Sequence, residues 1–201
     1  MKTFSSIFIL FLTLSGSVFS QETGEITDAR DGIKYKTVNL KIALEGGIFV
    51  ERNWMAENLR YKSASSKCYR DEPAYCFKFG RLYTYQDAIK SCPSGWHLSN
   101  TKEWNEMIDS FGGHYEIGGS LKEGGSTKFE AFMAGFGDLN GVYSDVGKSA
   151  NFWDAGMVTE DEGPKKFAGL YSIQKAHNEI STVEIRTLNY NSVRCVQDYN
   201  Y

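Results

Sequence analysis

Apolar and polar positions alternate in the first part of the chain, as is typical of strands that bury one face. The alternating apolar residues are Ile33, Tyr35, Val38, Leu40 and Ile42. Glu45-Gly46-Gly47 is a turn signal, and a second strand resumes at Ile48-Phe49-Val50 and ends near Trp54-Met55. The pattern therefore predicts an N-terminal hairpin.

The apolar spacing then changes to the period of a helix. One helical face is formed by Tyr85, Ala88, Ile89 and Cys92. Thr84 and Asp87, three residues apart, predict a capping box that satisfies free backbone N–H groups at the start of this helix. Pro93 and Gly95 predict its end.

A second helix is predicted directly afterwards. Asn100 and Glu103 have the spacing of a capping box, and Gly112-Gly113 is a C-terminal stop. Its buried stripe is Trp104, Met107, Ile108 and Phe111. These signals together predict a helix over about 100–111.

The segment 115–166 is rich in glycine and interleaved with aromatic residues. A structureless loop of this length is improbable inside a compact domain, so short strands are expected within it. After Pro164 the alternation returns and predicts three more strands. Their apolar residues are Phe167, Tyr171 and Ile173, then Val183 and Ile185, then Val193 and Cys195.

The first twenty residues have the pattern of a secretory signal peptide. Lys2 gives the positive start, Ile7 to Leu12 the short apolar run, and Val18-Phe19-Ser20 the small residues before a cut. The alternative is a buried N-terminal strand. The run is too short for a comfortable membrane span, so no span is expected after signal removal. Residues 21–30 are predicted to be a flexible leader, 31–198 one domain, and 199–201 a tail.

The net charge of the chain limits the kinds of molecule that it is expected to bind. Removing residues 1–20, which carry one lysine and no acid, leaves 181 of the 201 residues and shifts the net charge from −3 to −4. A mildly acidic chain without a basic run is not expected to bind nucleic acid or an anionic membrane surface. The length suits a single domain with its own core.

Four cysteines in an exported chain predict two disulfides, with three pairings open. Cys68 and Cys76 flank a short polar segment that can turn back at Pro73. Cys92 and Cys195 each lie in an apolar pattern, which favours pairing in the core. Free thiols or a zinc site are the alternatives. No metal or other cofactor is predicted, because CxxC spacing is absent.

Catalytic chemistry has little support in the sequence. His97, His114 and His177 are far apart, and His97 between Trp96 and Leu98 is interpreted as structural rather than catalytic. The acid run Glu160-Asp161-Glu162 is interpreted as a solvated turn in preference to a calcium site.

Four residues of the glycine-rich segment are candidates for ligand binding. They are Tyr143, Phe152, Trp153 and Asp154. Aromatic faces in exposed loops stack on sugars or peptides, and binding usually resides on loops carried by a rigid scaffold. The alternative is that these aromatic rings belong to the core.

Several motifs follow one another in the order of a known family. They are Asn53-Trp54-Met55-Ala56-Glu57-Asn58-Leu59, Cys68 with Cys76, Gly80-Arg81-Leu82-Tyr83-Thr84, Cys92-Pro93-Ser94-Gly95-Trp96-His97-Leu98, Glu103-Trp104 and Ser192-Val193-Arg194-Cys195-Val196. Over about 31–198 the chain resembles the Fibrobacter succinogenes major paralogous domain of exported bacterial proteins. It departs from the family at 44–52, which extends the first hairpin, and at 151–156, where members often carry Trp-Trp-Ser-Ser.

The resemblance implies an α+β fold of C-type-lectin-like type, related to the formylglycine-generating enzymes. Two helices would flank a twisted antiparallel sheet, with long irregular loops and two disulfides. Pairing of Cys92 with Cys195 is characteristic of that fold. The expected function is a non-catalytic binding module of the cell envelope or extracellular space, periplasmic, surface-bound or secreted, with a polysaccharide or protein ligand. A self-associating matrix protein and a divergent enzyme are the alternatives.

Overall fold

The computed structural model describes residues 21–159 and 166–199. The predicted signal peptide, the acid run 160–162, Pro164 and the last two tail residues lie outside the described residues. The strands are β1 (Glu22–Thr27), β2 (Lys34–Ala43), β3 (Phe49–Met55), β4 (Trp96–Leu98), β5 (Phe136–Gly137), β6 (Tyr143–Ser144), β7 (Ser149–Thr159), β8 (Phe167–Gln174), β9 (Ile180–Arg186) and β10 (Cys195–Gln197). The helices are α1 (Pro73–Phe79), α2 (Tyr85–Ser91), α3 (Thr101–Ser110) and α4 (Ile117–Leu121).

The mixed helix-and-sheet class is confirmed, but the expected single sheet is wrong. The described strands form a five-stranded sheet in the order β1-β2-β3-β10-β4, a three-stranded sheet β7-β8-β9, and the small pair β5-β6, all antiparallel. The predicted N-terminal hairpin is β2 and β3, joined by a 3-10 turn over Glu45–Gly47. Gly46 and Gly47 both have φ of 76°, a conformation that favours glycine.

The segment predicted to be a flexible leader contains a strand instead. Residues 22–27 pair with β2 over six positions, from Glu22 opposite Asn39 to Thr27 opposite Lys34. The side chains of β1 are almost all exposed, so its sequence shows no buried face. Backbone pairing, the ion pair of Lys34 with Glu25 (2.8 Å) and the half-buried Ile26 hold this edge strand, and a single apolar contact is too little for an apolar pattern to reveal.

Helix α3 follows the sequence closely. The Asn100 side chain accepts from the backbone N–H of Glu103 (3.1 Å), and the Glu103 carboxylate accepts from the backbone N–H of Asn100 (2.9 Å). The predicted capping box is therefore confirmed. Trp104, Met107 and Ile108 are buried as predicted, while Phe111 lies half-buried at the C-cap.

Helix α2 begins where predicted, but its capping box is wrong. Thr84 is the N-cap residue without a capping hydrogen bond from its side chain. The Asp87 carboxylate turns instead to the preceding loop, where it accepts from the hydroxyls of Ser63 (2.7 Å) and Ser65. Ile89 of the predicted stripe is exposed. The helix therefore buries a face that includes Asp87 and Ser91 in place of Ile89.

Two further helices were not predicted, so the expected count of two is wrong. Helix α1 begins at Pro73, where the sequence indicated a turn, because proline is well suited to the first helical turn. Helix α4 contains Gly118, whose N–H donates to the carbonyl oxygen of Asn178 (2.8 Å). A Cβ at Gly118 would lie 2.5 Å from that oxygen, so the contact requires glycine.

Aromatic rings fill the main core between α3 and the sheets. Trp104 contacts Trp54 (5.1 Å between ring centroids), Phe129 (5.7 Å) and Tyr171 (4.7 Å). A second buried cluster surrounds the Cys92–Cys195 disulfide. The other disulfide joins Cys68 to Cys76, so both predicted bridges are confirmed.

Candidate functional site

The structure places most of the predicted ligand residues inside the protein. Phe152 is fully buried in the main core, 5.7 Å from Trp104 and 5.8 Å from Phe129 between ring centroids. Trp153 is fully buried in the second cluster, where its Nε1 donates to the Tyr83 carbonyl oxygen (2.7 Å). Neither ring can stack on a ligand at the surface. The alternative that these rings are core residues is what the structure shows.

Asp154 is also buried and acts as an anchor between β7 and α3. Its carboxylate accepts from the Thr101 hydroxyl (2.7 Å) and from the Gly156 N–H (2.7 Å). Burial raises the pKa of Asp154 above its usual value, and these two hydrogen bonds oppose the shift. The predicted role of Asp154 in ligand contact is therefore not supported by its position.

Of the four predicted ligand-binding residues, Tyr143 is the one that lies at the surface. Its ring is half-buried and lies 5.2 Å from that of Tyr69, which lies 5.2 Å from Tyr75. Tyr75 in turn stacks on Phe79 at 6.1 Å. Tyr69 is itself buried, at 4 % exposed, and the half-buried rings of Tyr143, Tyr75 and Phe79 pack around it. We call this group of four rings the aromatic strip. It joins β6 to α1, two segments that are remote in sequence.

The aromatic strip stands on a rigid support. The Cys68–Cys76 disulfide closes the segment that carries it, and Arg81 donates to the Ser66 carbonyl oxygen (2.7 Å) and lies 3.3 Å from the Cys76 sulfur. The Tyr143 hydroxyl donates to Asp71 (3.1 Å). This support fixes the positions of the rings before any ligand arrives.

Helix α1 presents one more ring on the side that faces away from the aromatic strip. Phe77 is 85 % exposed, whereas Tyr75 and Phe79, at i and i+4, are half-buried on the opposite side of the helix. The Lys78 ammonium lies 4.9 Å from the Phe79 ring centroid, and the Arg70 guanidinium 5.6 Å from that of Tyr69. The surface therefore combines aromatic rings with cations that lie over two of them.

Sequence reasoning missed this surface, although a signal was present. Pro73 followed by aromatic residues at 75 and 79 is the spacing of a short helix that begins at proline. The segment between the two cysteines was instead interpreted as a turn. The partnership with Tyr143 could not be predicted, because 72 positions separate Tyr143 from its partner Asp71.

The structure places His97 between two carboxylates. Its Nε2 lies 2.7 Å from a Glu103 oxygen and its Nδ1 2.6 Å from an Asp198 oxygen. The hydrogen bond to Glu103, with that to Asp198, raises the pKa of His97 to about 9 against the opposing effect of burial. The protonated ring thus joins the start of α3 to the segment after β10.

Because folding raises the pKa of His97 above its ordinary 6.5, its contribution to stability is complete below pH 6.5 and is lost as pH rises through 9. The side chain is 34 % exposed, so we discount the effect for solvent screening. We expect the free energy of unfolding to fall by roughly 1–2 kcal/mol over this window. Urea unfolding at three pH values across this window measures the fall in the free energy of unfolding.

In His97→Gln this fall in the unfolding free energy should disappear. His177→Gln, which changes an exposed histidine, is the matched control and should keep it. Equal pH dependence in the native protein and in His97→Gln would contradict the assignment.

Redox or metal chemistry would need free thiols or a cluster of metal-ligating side chains. All four cysteines are bonded, so none offers a thiol of the kind that a formylglycine-generating reaction uses. Among the described residues, no group of three or more histidine, cysteine or carboxylate side chains could hold a metal ion. Within the same residues no helix has the length and apolar character that a membrane crossing requires.

Comparison with known proteins gives one match. The family described as Fibrobacter succinogenes major domain matches residues 50–197, from within β3 to the end of β10. No curated protein and no solved structure matches the chain.

Proposed function

We propose that this chain, which belongs to the Fibrobacter succinogenes major domain family, is an exported, non-catalytic module that binds polysaccharide. The observation that carries the proposal is the aromatic strip together with the exposed ring of Phe77 on the outer side of the same helix. Two disulfides favour an oxidising location, which fits the periplasm, the cell surface or the extracellular space.

A polysaccharide suits this surface for physical reasons. Sugar rings present flat C–H faces that pack on aromatic rings, and their hydroxyls can bond to charged side chains nearby, here Arg70 and Lys78. The partly exposed rings of Tyr143, Tyr75 and Phe79, which pack around buried Tyr69, form a track rather than a single pocket. A track of this kind matches an extended polymer. A C-type-lectin-like fold, which the family resemblance implies, would carry such a binding surface on its irregular loops.

One other observation favours self-association as a second candidate function. Strand β1 lies at the edge of the five-stranded sheet, and Ile48 and Phe49 are exposed at the tip of the neighbouring hairpin. Exposed strand edges and apolar tips are places where copies of a chain can pair. Sedimentation over a range of protein concentrations tests this candidate, and growing oligomers would support it.

Phe77→Ala should weaken binding to polysaccharide about tenfold, which corresponds to the loss of one stacked ring. Binding is measured by pull-down on insoluble cellulose, chitin and peptidoglycan, and by affinity electrophoresis in gels that contain xylan or mixed-linkage glucan. Phe49→Ala is the matched control, because it also removes an exposed phenylalanine, 58 % exposed, but from the hairpin tip. It should bind like the native protein.

Two results would count against the proposed function. The first is a native protein that binds none of these polymers while a protein partner is retained on immobilised chain and lost in Phe77→Ala. The second is equal loss of binding in Phe49→Ala and Phe77→Ala, which would move the contact to the hairpin tip.

A further inference from the structure

A small pocket lies on the face of the β7-β8-β9 sheet that is turned away from the main core. Leu170 of β8 and Val183 of β9, which are paired across the strands, form its floor. Phe136 of β5 forms one wall, and Asn189 and Asn191 another. The pocket has a volume of about 190 Å³. Val183 is 41 % exposed and marks the mouth.

Asn191 is the unusual member of this lining. Its side chain is 1 % exposed, yet neither Nδ2 nor Oδ1 has a hydrogen-bond partner among the described residues. Its backbone is fully used, since its N–H and C=O both pair with Tyr83 (3.0 and 2.8 Å). Buried polar side chains are nearly always bonded, so a donor and an acceptor left free in a pocket require an explanation.

The neighbouring Asn151 shows the contrast. Its Oδ1 accepts from the Ser172 hydroxyl (2.8 Å), and its Nδ2 donates to the Ser149 hydroxyl (2.9 Å). Asn151 is therefore held as a fixed part of the wall by protein groups. Asn191 has the same chemistry in the same pocket without such partners, so the missing partner is expected to come from outside the chain.

We propose that this asparagine pocket binds a single neutral sugar ring. A carboxamide offers one donor and one acceptor side by side, which matches two adjacent hydroxyls of a sugar. The other lining residues are apolar or carboxamides, and none of the described lining residues is ionisable, so a charged group would find no partner. The carboxamides of Asn189 and Asn191 can bond hydroxyls of one ring, while the apolar wall packs on its C–H face.

The pocket and the aromatic strip are separate surfaces that share one segment. Tyr190 packs against the cluster that contains the strip, and Lys67 lies 4.9 Å from its ring centroid. Asn189 and Asn191, on either side of Tyr190, line the pocket instead. The inference rests on the proposed function only in taking a saccharide as ligand. The volume suits the end of a chain or one free sugar, not a track.

The test uses glucose, galactose, mannose and N-acetylglucosamine as probes of the full chain. The ¹H–¹⁵N resonances of the Asn191 side-chain amide, identified by their absence in Asn191→Leu, report on binding. At least one sugar should shift them saturably, and Asn191→Leu should abolish binding of that sugar. Val183→Trp, which fills the exposed mouth of the pocket, should weaken sugar binding at least tenfold. Because it leaves Asn191 unchanged, this variant also tests the inference if Asn191→Leu does not fold.

Phe77→Ala separates the two proposals, because it should leave the sugar-induced shifts unchanged while weakening polymer binding. The inference is overturned if no sugar shifts the Asn191 amide, or if acetamide shifts it and sugars do not, which would assign the pocket to a carboxamide. It is also overturned if a crystal structure shows ordered water on both Asn191 atoms in the presence of every sugar.

Discussion

Replacing Arg194 with methionine is expected to lower the free energy of unfolding by roughly 3–5 kcal/mol. The guanidinium is fully buried and donates to four neutral acceptors: the Asn58 side-chain oxygen and the carbonyl oxygens of Met55, Phe129 and Glu130. Methionine has a similar volume but no donors. The variant would therefore leave these oxygens buried without partners, and each such group costs about 1–3 kcal/mol.

The dipoles of the carbonyl and amide oxygens, together with two aromatic rings, stabilise the charge of Arg194. Its guanidinium lies 4.3 Å from the Phe129 ring centroid and 5.3 Å from that of Phe152. Burial lowers the pKa of Arg194 to about 9, which still leaves it protonated at neutral pH. Phe152 thus supports a buried cation in the core, in place of the ligand contact that its sequence position indicated.

Urea unfolding followed by tryptophan fluorescence measures the effect of Arg194→Met. Arg194→Lys keeps the charge but cannot span all four acceptors, so it should lose part of this stability. Arg186→Met, at an exposed position of β9, is the matched control and should stay within about 0.5 kcal/mol of the native protein. A value for Arg194→Met within the same limit would contradict this account of the core.

Arg194 also explains how distant motifs of the family are joined. Asn58 accepts from Arg194 and donates through Nδ2 to the carbonyl oxygen of Phe79 (2.8 Å), the last residue of α1. Gly80 follows with φ of 83°, and a Cβ there would lie 2.6 Å from the Asn58 Cβ. The buried arginine, the asparagine and the glycine therefore form one connected unit that holds α1, and with it the aromatic strip, against the core.

Elements with a local signal could be predicted from the sequence. The capping box of Asn100 and Glu103 and the alternation in β2 each depend on residues within one element, and the structure confirms them. The strand predicted from Phe167 to Ile173 is present as β8, but it is buried on both faces rather than on one. The capping box at Thr84 is wrong for the converse reason. Asp87 had a stronger set of partners in a loop more than twenty positions away, which local spacing cannot reveal.

Phe152, Trp153 and Asp154 lie inside the protein rather than at its surface for a reason that concerns β7. Neighbouring residues of a strand point to opposite faces, and in β7 both faces are covered. Phe152 enters the main core and Trp153 the second cluster. A run of aromatic residues between glycines has the same appearance whether it belongs to an exposed loop or to a strand buried on both sides. Only the packing partners, which are distant in sequence, decide between them.

Removing the Cys92–Cys195 bridge with a double substitution to alanine is the second large effect that we expect. The bridge closes a sequence separation of 103 residues, and Cys195 is fully buried in the second cluster. On the chain-entropy account, a loop of this length contributes roughly 4–5 kcal/mol by constraining the unfolded chain. The thermal midpoint and the urea unfolding free energy of the double variant should fall accordingly.

The Cys68–Cys76 bridge supplies the matched control, because the same pair of substitutions opens a loop with a separation of only eight residues. The chain-entropy account gives roughly 2.5 kcal/mol for the short bridge.

Polysaccharide binding should show the reverse order, since the short bridge supports the aromatic strip and the long bridge lies in the core. Measured below the unfolding midpoint of each variant, binding should weaken when the short bridge is removed and stay near native when the long one is. If the short bridge proved the more stabilising of the two, or if its loss left binding unchanged, the division of roles between the two disulfides would be wrong.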